Sequence, residues 1–413
     1  MEKLFFKNNR NKFAKQMDKS SLTIFMAKQV ETGNTSENFE QDKNFFYFTG
    51  LEIPNAILVI HKNGAGKVKN YLFLERTVEE LIVWTGEKMS KNEAKNKTGV
   101  EKVYYLDELE RKLNGFANFT NKVYIDYQTS SLSSVLTPSL QLVNNIKEHY
   151  PNFDIKSPIK LLEKIRTIKE EPEIENIKKA IEITYEGIKN ILNHARPEMM
   201  EYELEAYFRF ESLVRGKKAL GFEPIVASGV NSTILHYSEN NCKIKDNSLV
   251  LLDLGAQHNM YSADISRTFP INGKFSERQK SVYDEVLKVQ KEIINFAKPG
   301  LTLNDLQKKT IELIKKSLCK LNLIKDKDDD KAFKKFYMHS VSHHLGLDTH
   351  DLASKTRKLE PGNVITVEPG IYIKDEKIGI RIEDDVLITK DGATVLSSMI
   401  PKEAEEIENL MKN

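Results

Sequence analysis

Apolar positions along the chain follow two different periods. Over the first 160 residues, short apolar runs stand between polar stretches. Ala56–Ile60 (AILVI) and Val123–Asp126 (VYID) read as strands, whereas Leu81–Trp84 (LIVW) is too short to assign. From about Leu161 a helical period takes over. Residues 160–171 run into Pro172, which suits the first turn of a helix. Ile174, Ile177, Ile181, Ile188 and Ile191 then share one helical face. Arg196-Pro197 closes that helix, because the residue before a proline resists αR geometry. Ser276 with Gln279, and Thr302 with Asp305, open two further helices. Their apolar stripes (Val282, Val286, Val289, Ile293, and then Leu306, Leu313, Ile314, Leu321) are core, with Pro299-Gly300 between them. Strand pairs lie between and after these helices. The pattern therefore predicts a smaller mixed α/β domain over 1–160 and an α+β domain over 161–413, with the boundary inside 155–170.

Composition adds mainly exclusions. The 62 Lys and Arg nearly cancel the 60 Asp and Glu, leaving a formal charge of +2 and no broad footprint for nucleic acid. Cys242 and Cys319 form no disulfide framework and match no zinc spacing, which fits a reducing compartment. The first residues, MEKLFFKNNRNKFAKQ, lack the apolar core of a secretory leader, and no run of 18 apolar residues suggests a membrane span. A soluble cytoplasmic protein is expected. The charge run KDKDDDK at 325–331 reads as an exposed loop.

The chemistry concentrates in the second domain. In LVLLDLGAQHNMYSADISRTF (249–269) two apolar strands each carry one aspartate, Asp253 and Asp264. A hairpin turning at His258-Asn259 sets the two face to face, a destabilising arrangement unless something offsets the like charges. The bland alternative has one aspartate pointing to solvent at a strand end. Residues 363–373 and 378–389 repeat the pattern: a turn at Asp375-Glu376 sets Glu368 opposite Glu383. Pro369-Gly370 then provides a bulge that re-aims Glu368. Two such hairpins make the solvated alternative much weaker than one does.

Between them, residues 338–351 (MHSVSHHLGLDTHD) hold four of the nine histidines. His343 and His344 point to opposite faces if extended, so at most one of that pair faces a site. Four carboxylates in one pocket raise each other's pKa unless cations neutralise them, and two divalent ions balance four charges. Oxygen ligands with one imidazole suit Mn²⁺, Co²⁺, Fe²⁺ or Zn²⁺ in a dinuclear site. Such sites, with ions roughly 3.5–4 Å apart, generate a bridging hydroxide at neutral pH, and hydrolysis is the natural reaction.

These residues resemble the pita-bread (creatinase/aminopeptidase) metallopeptidases, and within them the Xaa-Pro aminopeptidase, or aminopeptidase P, branch. The ordered set Asp253, Asp264, His343, Glu368 and Glu383 is similar to the family's metal signature. GFEPIVASGVNSTILHY (221–237) looks like the segment carrying a substrate-side histidine, here His236. HHLGLDTHD, VEPGIY and GIRIEDD resemble later motifs and place a second such histidine at His350. NFFYFTGLEIPNA (44–56) is similar to the YxTG segment of the amino-terminal domain, so the likeness covers nearly the whole chain.

The resemblance implies two divalent ions, Mn²⁺ foremost, held by those five ligands, with Glu368 also acting as general base. It implies that His236 and His350 hydrogen-bond the substrate carbonyl and the tetrahedral intermediate. His339 is implied as a wall of the prolyl pocket or a satisfied structural histidine, and Arg381 as a support for the ligands. Family members often carry Asp where this chain has Asn44. Asp42 lies nearby in another register, which leaves the acid partner of Arg381 open. The implied substrates are peptides with proline second, and the implied assembly is a homodimer or homotetramer. Trp84, the only tryptophan, is expected at a subunit contact or over the pocket, with a core anchor as the alternative. Two other functions remain: a prolidase restricted to Xaa-Pro dipeptides, and a catalytically inactive binding module.

Overall fold

Residues 1–30, 39–127, 135–216 and 220–412 are described by the computed structural model, in which the chain divides between Ile165 and Arg166. The first unit is built on a six-stranded sheet. Its strands are β1 (Ser21–Met26), β2 (Ile57–Lys62), β3 (Val68–Leu74), β4 (Lys102–Tyr105), β5 (Lys122–Ile125) and β6 (Asp154–Lys156). They lie in the order β4-β3-β2-β1-β5-β6. Leu22 and Ile24 pack on one face with Leu113, Phe116, Val143 and Ile146. Phe25 on the other face meets Phe13 and Phe48. Both faces are buried, which is why β2 opens with the unbroken apolar run Ile57–Ile60 rather than an alternating one.

Leu81–Trp84 is not a strand. A 3₁₀ turn at Glu79–Leu81 leads into a single helical turn, Ile82–Thr85. Trp84 there is 75% exposed, so the core-anchor alternative is excluded. Asn44 donates to Asp126 at 2.6 Å, and Asp42 caps the helix Lys43–Thr49 by accepting from Phe45 N.

In the second unit, helix Glu171–His194 buries Ile174, Ile177, Ile181, Ile188 and Ile191 as predicted. It does not continue from the run at 160. The chain breaks between helix Ile159–Arg166 and Glu171, because Lys169 N bonds to Gly362 O and Lys169 Nζ to the buried Asp351 carboxylate. The helices Glu277–Phe296 and Leu303–Lys320 start at the two predicted capping boxes. Between and after the helices lie β7 (Ile225–Ser228), β8 (Leu249–Leu254), β9 (Gln257–His258), β10 (Tyr261–Ser262) and β11 (Ile265–Pro270), then β12 (Val364–Val367), β13 (Gly370–Ile373), β14 (Ile378–Arg381), β15 (Asp384–Ile388) and β16 (Ala393–Val395). They form two three-stranded sheets, β11-β8-β7 and β12-β15-β16, and two ribbons. This is the mixed helix-and-sheet architecture expected of a pita-bread domain. No helix among the described residues is long and apolar enough to cross a membrane.

The first hairpin departs from its expected register. Asp253 pairs with Ser266, not with Asp264. His258 and Tyr261 close the ladder around a turn at Asn259-Met260, both at positive φ. Burial decides the shift: Met260 and Tyr261 are drawn inside, and the Tyr261 hydroxyl donates to Glu173 at 2.8 Å. Gly255 permits the crossing, since a Cβ there would come within 2.2 Å of Ala263 O. A shift of two residues preserves the side-chain face, so both aspartates still point the same way. The second hairpin has the predicted register, with Val367 opposite Asp384 and Gly370 opposite Arg381. Glu368 and Glu383 occupy the break between those two ladders.

Candidate metal centre and its cavity

The four acids sit where strands end or interrupt. Asp253 is near the end of β8, Asp264 between β10 and β11, and Glu368 and Glu383 in the gap of the second hairpin. The interruption frees Glu368 and Glu383 from regular pleating, whereas Asp253 keeps its place in the β8 ladder opposite Ser266. His343 joins them from the segment before β12, where Thr366 N donates to its carbonyl. One ligand atom each from Asp264, His343 and Glu383 lie within 4.8 Å of one another. His343 Nε2 is 3.3 Å from Asp264 Oδ2 and 3.6 Å from Glu368 Oε1.

His343 Nδ1 lies 3.1 Å from the carbonyl of His344, which only accepts. In the neutral ring Nδ1 therefore carries the proton, and Nε2 presents a lone pair to two carboxylates. Lone pair facing lone pairs calls for a cation. Burial, with the charges of Asp253, Asp385 and Glu368, pushes the Asp264 carboxyl well above the usual range. Burial with Asp264, Glu368 and Asp253 does the same to Glu383. Burial also raises Glu368, against the opposing pull of His343 and Arg381. Asp253 Oδ1 has no hydrogen-bond partner among the described residues. This donor set, short of positive charge and with a carboxylate oxygen unused, fits divalent cations.

Arg381 is the organising cation of this group. Its Nη2 reaches Asp253 at 2.6 Å, Nε donates to Ser266 Oγ at 2.7 Å, and Nη1 to the Tyr372 hydroxyl at 3.3 Å. Burial opposes its charge, but Asp253, Tyr372, Glu383 and Glu368 outweigh that and hold its pKa well above the ordinary value. Ser266 passes the order on, donating to Glu383 at 2.8 Å. Tyr372 does likewise, its hydroxyl 2.9 Å from His339 Nε2. His339 Nδ1 lies 2.9 Å from Ser340 O. Both ring nitrogens of His339 are thus occupied, and burial depresses its pKa to about 4. It is a neutral wall residue.

Asp253, Asp264, His343, Glu368, Glu383, His236, His350, His339 and Arg381 all line one cavity of about 430 Å³. The His350 ring stands edge-on to His343 at 4.3 Å. His236 follows the 3₁₀ segment Gly229–Thr233, whose loop is pinned by the buried Glu201. That carboxylate accepts from Ser228 N and Oγ, Asn231, Tyr237 OH and Cys242 N. His344 is buried with both ring nitrogens unpartnered among the described residues. Sequence reasoning missed Ser266, Tyr372 and Glu201. Only Ser266 carried a signal, two residues from Asp264 and so on the same face.

The comparisons agree with this geometry. Residues 175–390 match the model of metallopeptidase family M24, and residues 6–124 match the aminopeptidase P N-terminal domain. The chain is 34% identical to the Xaa-Pro aminopeptidase of Escherichia coli (strain K12), covering 98% of this chain and 97% of the relative. It is also 34% identical to Xaa-Pro aminopeptidase 3 of Homo sapiens, over 95% of this chain and 79% of that one. A solved structure of E. coli aminopeptidase P with the inhibitor Pro-Leu superposes with a TM-score of 0.90 at 32% identity, covering 100% of this chain and 98% of that one. With both domain models matched and the similarity running end to end, the chain belongs to metallopeptidase family M24, in its Xaa-Pro aminopeptidase branch.

Proposed function

We propose that this protein is a metal-dependent aminopeptidase that removes an N-terminal residue preceding proline. The observation that carries the reading is the convergence of Asp264, His343 and Glu383 on one point, with the His343 Nε2 lone pair turned toward acids. Asp253, Asp264, His343, Glu368 and Glu383 would hold two divalent ions, with Mn²⁺ the first candidate. The chemistry such ions supply when bound is an activated water and polarisation of the scissile carbonyl.

The remaining work belongs to side chains. Glu368, on the cavity wall beside His343, takes the proton of the attacking water and returns it to the departing prolyl nitrogen. His236 and His350, on the cavity wall, hydrogen-bond the carbonyl and stabilise its developing charge. Arg381 holds one oxygen of Asp253 in place and, through Ser266, orients Glu383. His339, uncharged, presents a ring face suited to a prolyl residue.

The proposal extends to a cytoplasmic setting, consistent with two unpaired cysteines. It extends also to a homodimer or homotetramer in which exposed Trp84 meets the partner. Purified protein with Mn²⁺, offered Xaa-Pro dipeptides beside Xaa-Pro-Yaa tripeptides, tests it. Release of the first residue from tripeptides is expected. Turnover of dipeptides alone would make the enzyme a prolidase, and no turnover with any divalent metal would leave a binding module.

A further inference from the structure

The lining of the cavity is strongly acidic. Asp253, Asp264, Asp351, Glu368 and Glu383 stand against two permanent cations, Arg381 and Lys355. Asp351 is already neutralised by buried Arg166 at 2.6 Å and Lys169 at 2.8 Å. The other four acids form the metal centre, and Arg381 is bound to one of them. Lys355 differs from both groups. Its Nζ donates to Ser340 Oγ at 2.7 Å, and no carboxylate of the described residues pairs with it.

Its position is held from the backbone. Lys355 O accepts from Asn304 N at 3.3 Å, at the start of helix Leu303–Lys320. Leu303 and Ala353 line the same cavity. An ammonium offers three donors, so the bond to Ser340 leaves two for a ligand. Once cations neutralise the metal centre, an incoming anion is drawn to Lys355, because the Arg381 nitrogens are already engaged by Ser266, Tyr372 and Asp253. A peptide substrate brings one such anion with it. A cavity of about 430 Å³ is of the size that encloses most of a small ligand, and Lys355 stands at its solvent-exposed side, where the end of a short peptide can reach it.

We propose that Lys355, steadied by Ser340, receives the C-terminal carboxylate of a short peptide and makes the enzyme selective for free-acid substrates. The inference rests on the aminopeptidase reading and specifies which end of the substrate, besides the scissile bond, is sensed. Lys355 touches no reacting atom. It acts on binding, so the effect appears in KM and leaves kcat nearly unchanged.

The test uses the Mn²⁺-loaded protein with Xaa-Pro, Xaa-Pro-Yaa and Xaa-Pro-Yaa-Zaa peptides, each as free acid and as C-terminal amide. For the length whose terminus reaches Lys355, kcat/KM is expected to favour the acid by at least about fivefold. Lys355→Met should remove that preference by weakening the acid alone, and Lys355→Glu should reverse it. Equal handling of acid and amide at every length, or equal losses on both in Lys355→Met, would overturn the inference while leaving the aminopeptidase reading intact. Failure to cleave any of the six would overturn that reading, and this inference with it.

Discussion

Arg381 Nη2 lies 2.6 Å from Asp253 Oδ2, while Asp253 Oδ1 is buried with no hydrogen-bond partner among the described residues. One oxygen is held by a fixed charge and the other is left for a cation. The geometry also answers where Arg381 finds its acid: within its own unit, in Asp253. Asn44 and Asp42 each have another partner, Asp126 and Phe45 N respectively.

Replacing Arg381 by Ala should therefore weaken metal binding as well as the fold. Breaking a buried ion pair typically costs about 3–5 kcal/mol, because the surviving charge is left uncompensated. Arg381→Lys keeps the charge but cannot reach Asp253, Ser266 and Tyr372 together, so an intermediate loss is expected. Urea unfolding and Mn²⁺ titration measure the two effects separately. Unchanged metal affinity in Arg381→Ala would detach this residue from the centre.

Glu368→Gln is expected to abolish turnover and leave the fold intact. Losing a general base costs roughly 10²–10⁴-fold, and Glu368 also supplies ligand charge. Steady-state assays beside a thermal melt check this. More than about a tenth of the activity surviving would contradict the assigned role.

His236→Ala should lower kcat with both metal ions retained, since His236 lines the cavity while the converging ligand atoms belong to Asp264, His343 and Glu383. Elemental analysis of the purified variant is the deciding measurement. A fall to one ion per chain would make His236 a ligand.

Stability of the metal-free protein should fall as pH rises above about 6.5. Asp264 and Glu383 have raised pKa values in the folded state, so they keep protons that the unfolded chain releases. Their contribution is fully present below the ordinary carboxylate pKa of about 4 and is lost as pH rises through the raised values. His339 and His344, depressed to about 4 and about 3, act in the opposite sense, but only as pH falls below about 6.5. From about 6.5 to 8.5 the carboxylates, Asp385 with its pKa also raised by burial among them, act without that opposition. Added Mn²⁺ should raise Tm by more at the upper end, because it binds the ionised acids. Melts with chelator and with Mn²⁺ across this window check the sign. A metal-free Tm that climbs with pH there would refute it.

Trp84→Ala should leave Tm nearly unchanged, because 75% of the residue is exposed and little packing is lost. If Trp84 meets a partner subunit, the variant should dissociate or show a higher KM. Sedimentation and steady-state kinetics together decide the matter. An unaltered oligomer with unaltered kinetics would remove Trp84 from the interface.

Much of the site is legible in the amino-acid sequence because it is built from short-range pairings. The mirror symmetry of two apolar runs about Asp375-Glu376 is enough to set Glu368 opposite Glu383, and the ladders on either side keep that register. The same symmetry misplaces the first hairpin by two residues. Turn propensity favours His258-Asn259, but the burial of Met260 and Tyr261 moves the turn to Asn259-Met260. Asp253 and Asp264 survive the error because strand side chains repeat with period two.

What the chain's residues determined by themselves was local: helix starts at Ser276 and Thr302, strands carrying acids, and which acids share a face. These follow from capping, periodicity and turn chemistry, all acting over a few residues. Tertiary structure alone decided which side chains meet across long separations. It brought Arg381 to Asp253 and Ser266, Tyr372 to His339, and Glu201 to the loop before His236. It also placed Lys355 on the cavity wall with no acid of the described residues to pair. Such meetings depend on how whole elements pack. A charge or hydroxyl takes its function from neighbours that the linear order does not reveal.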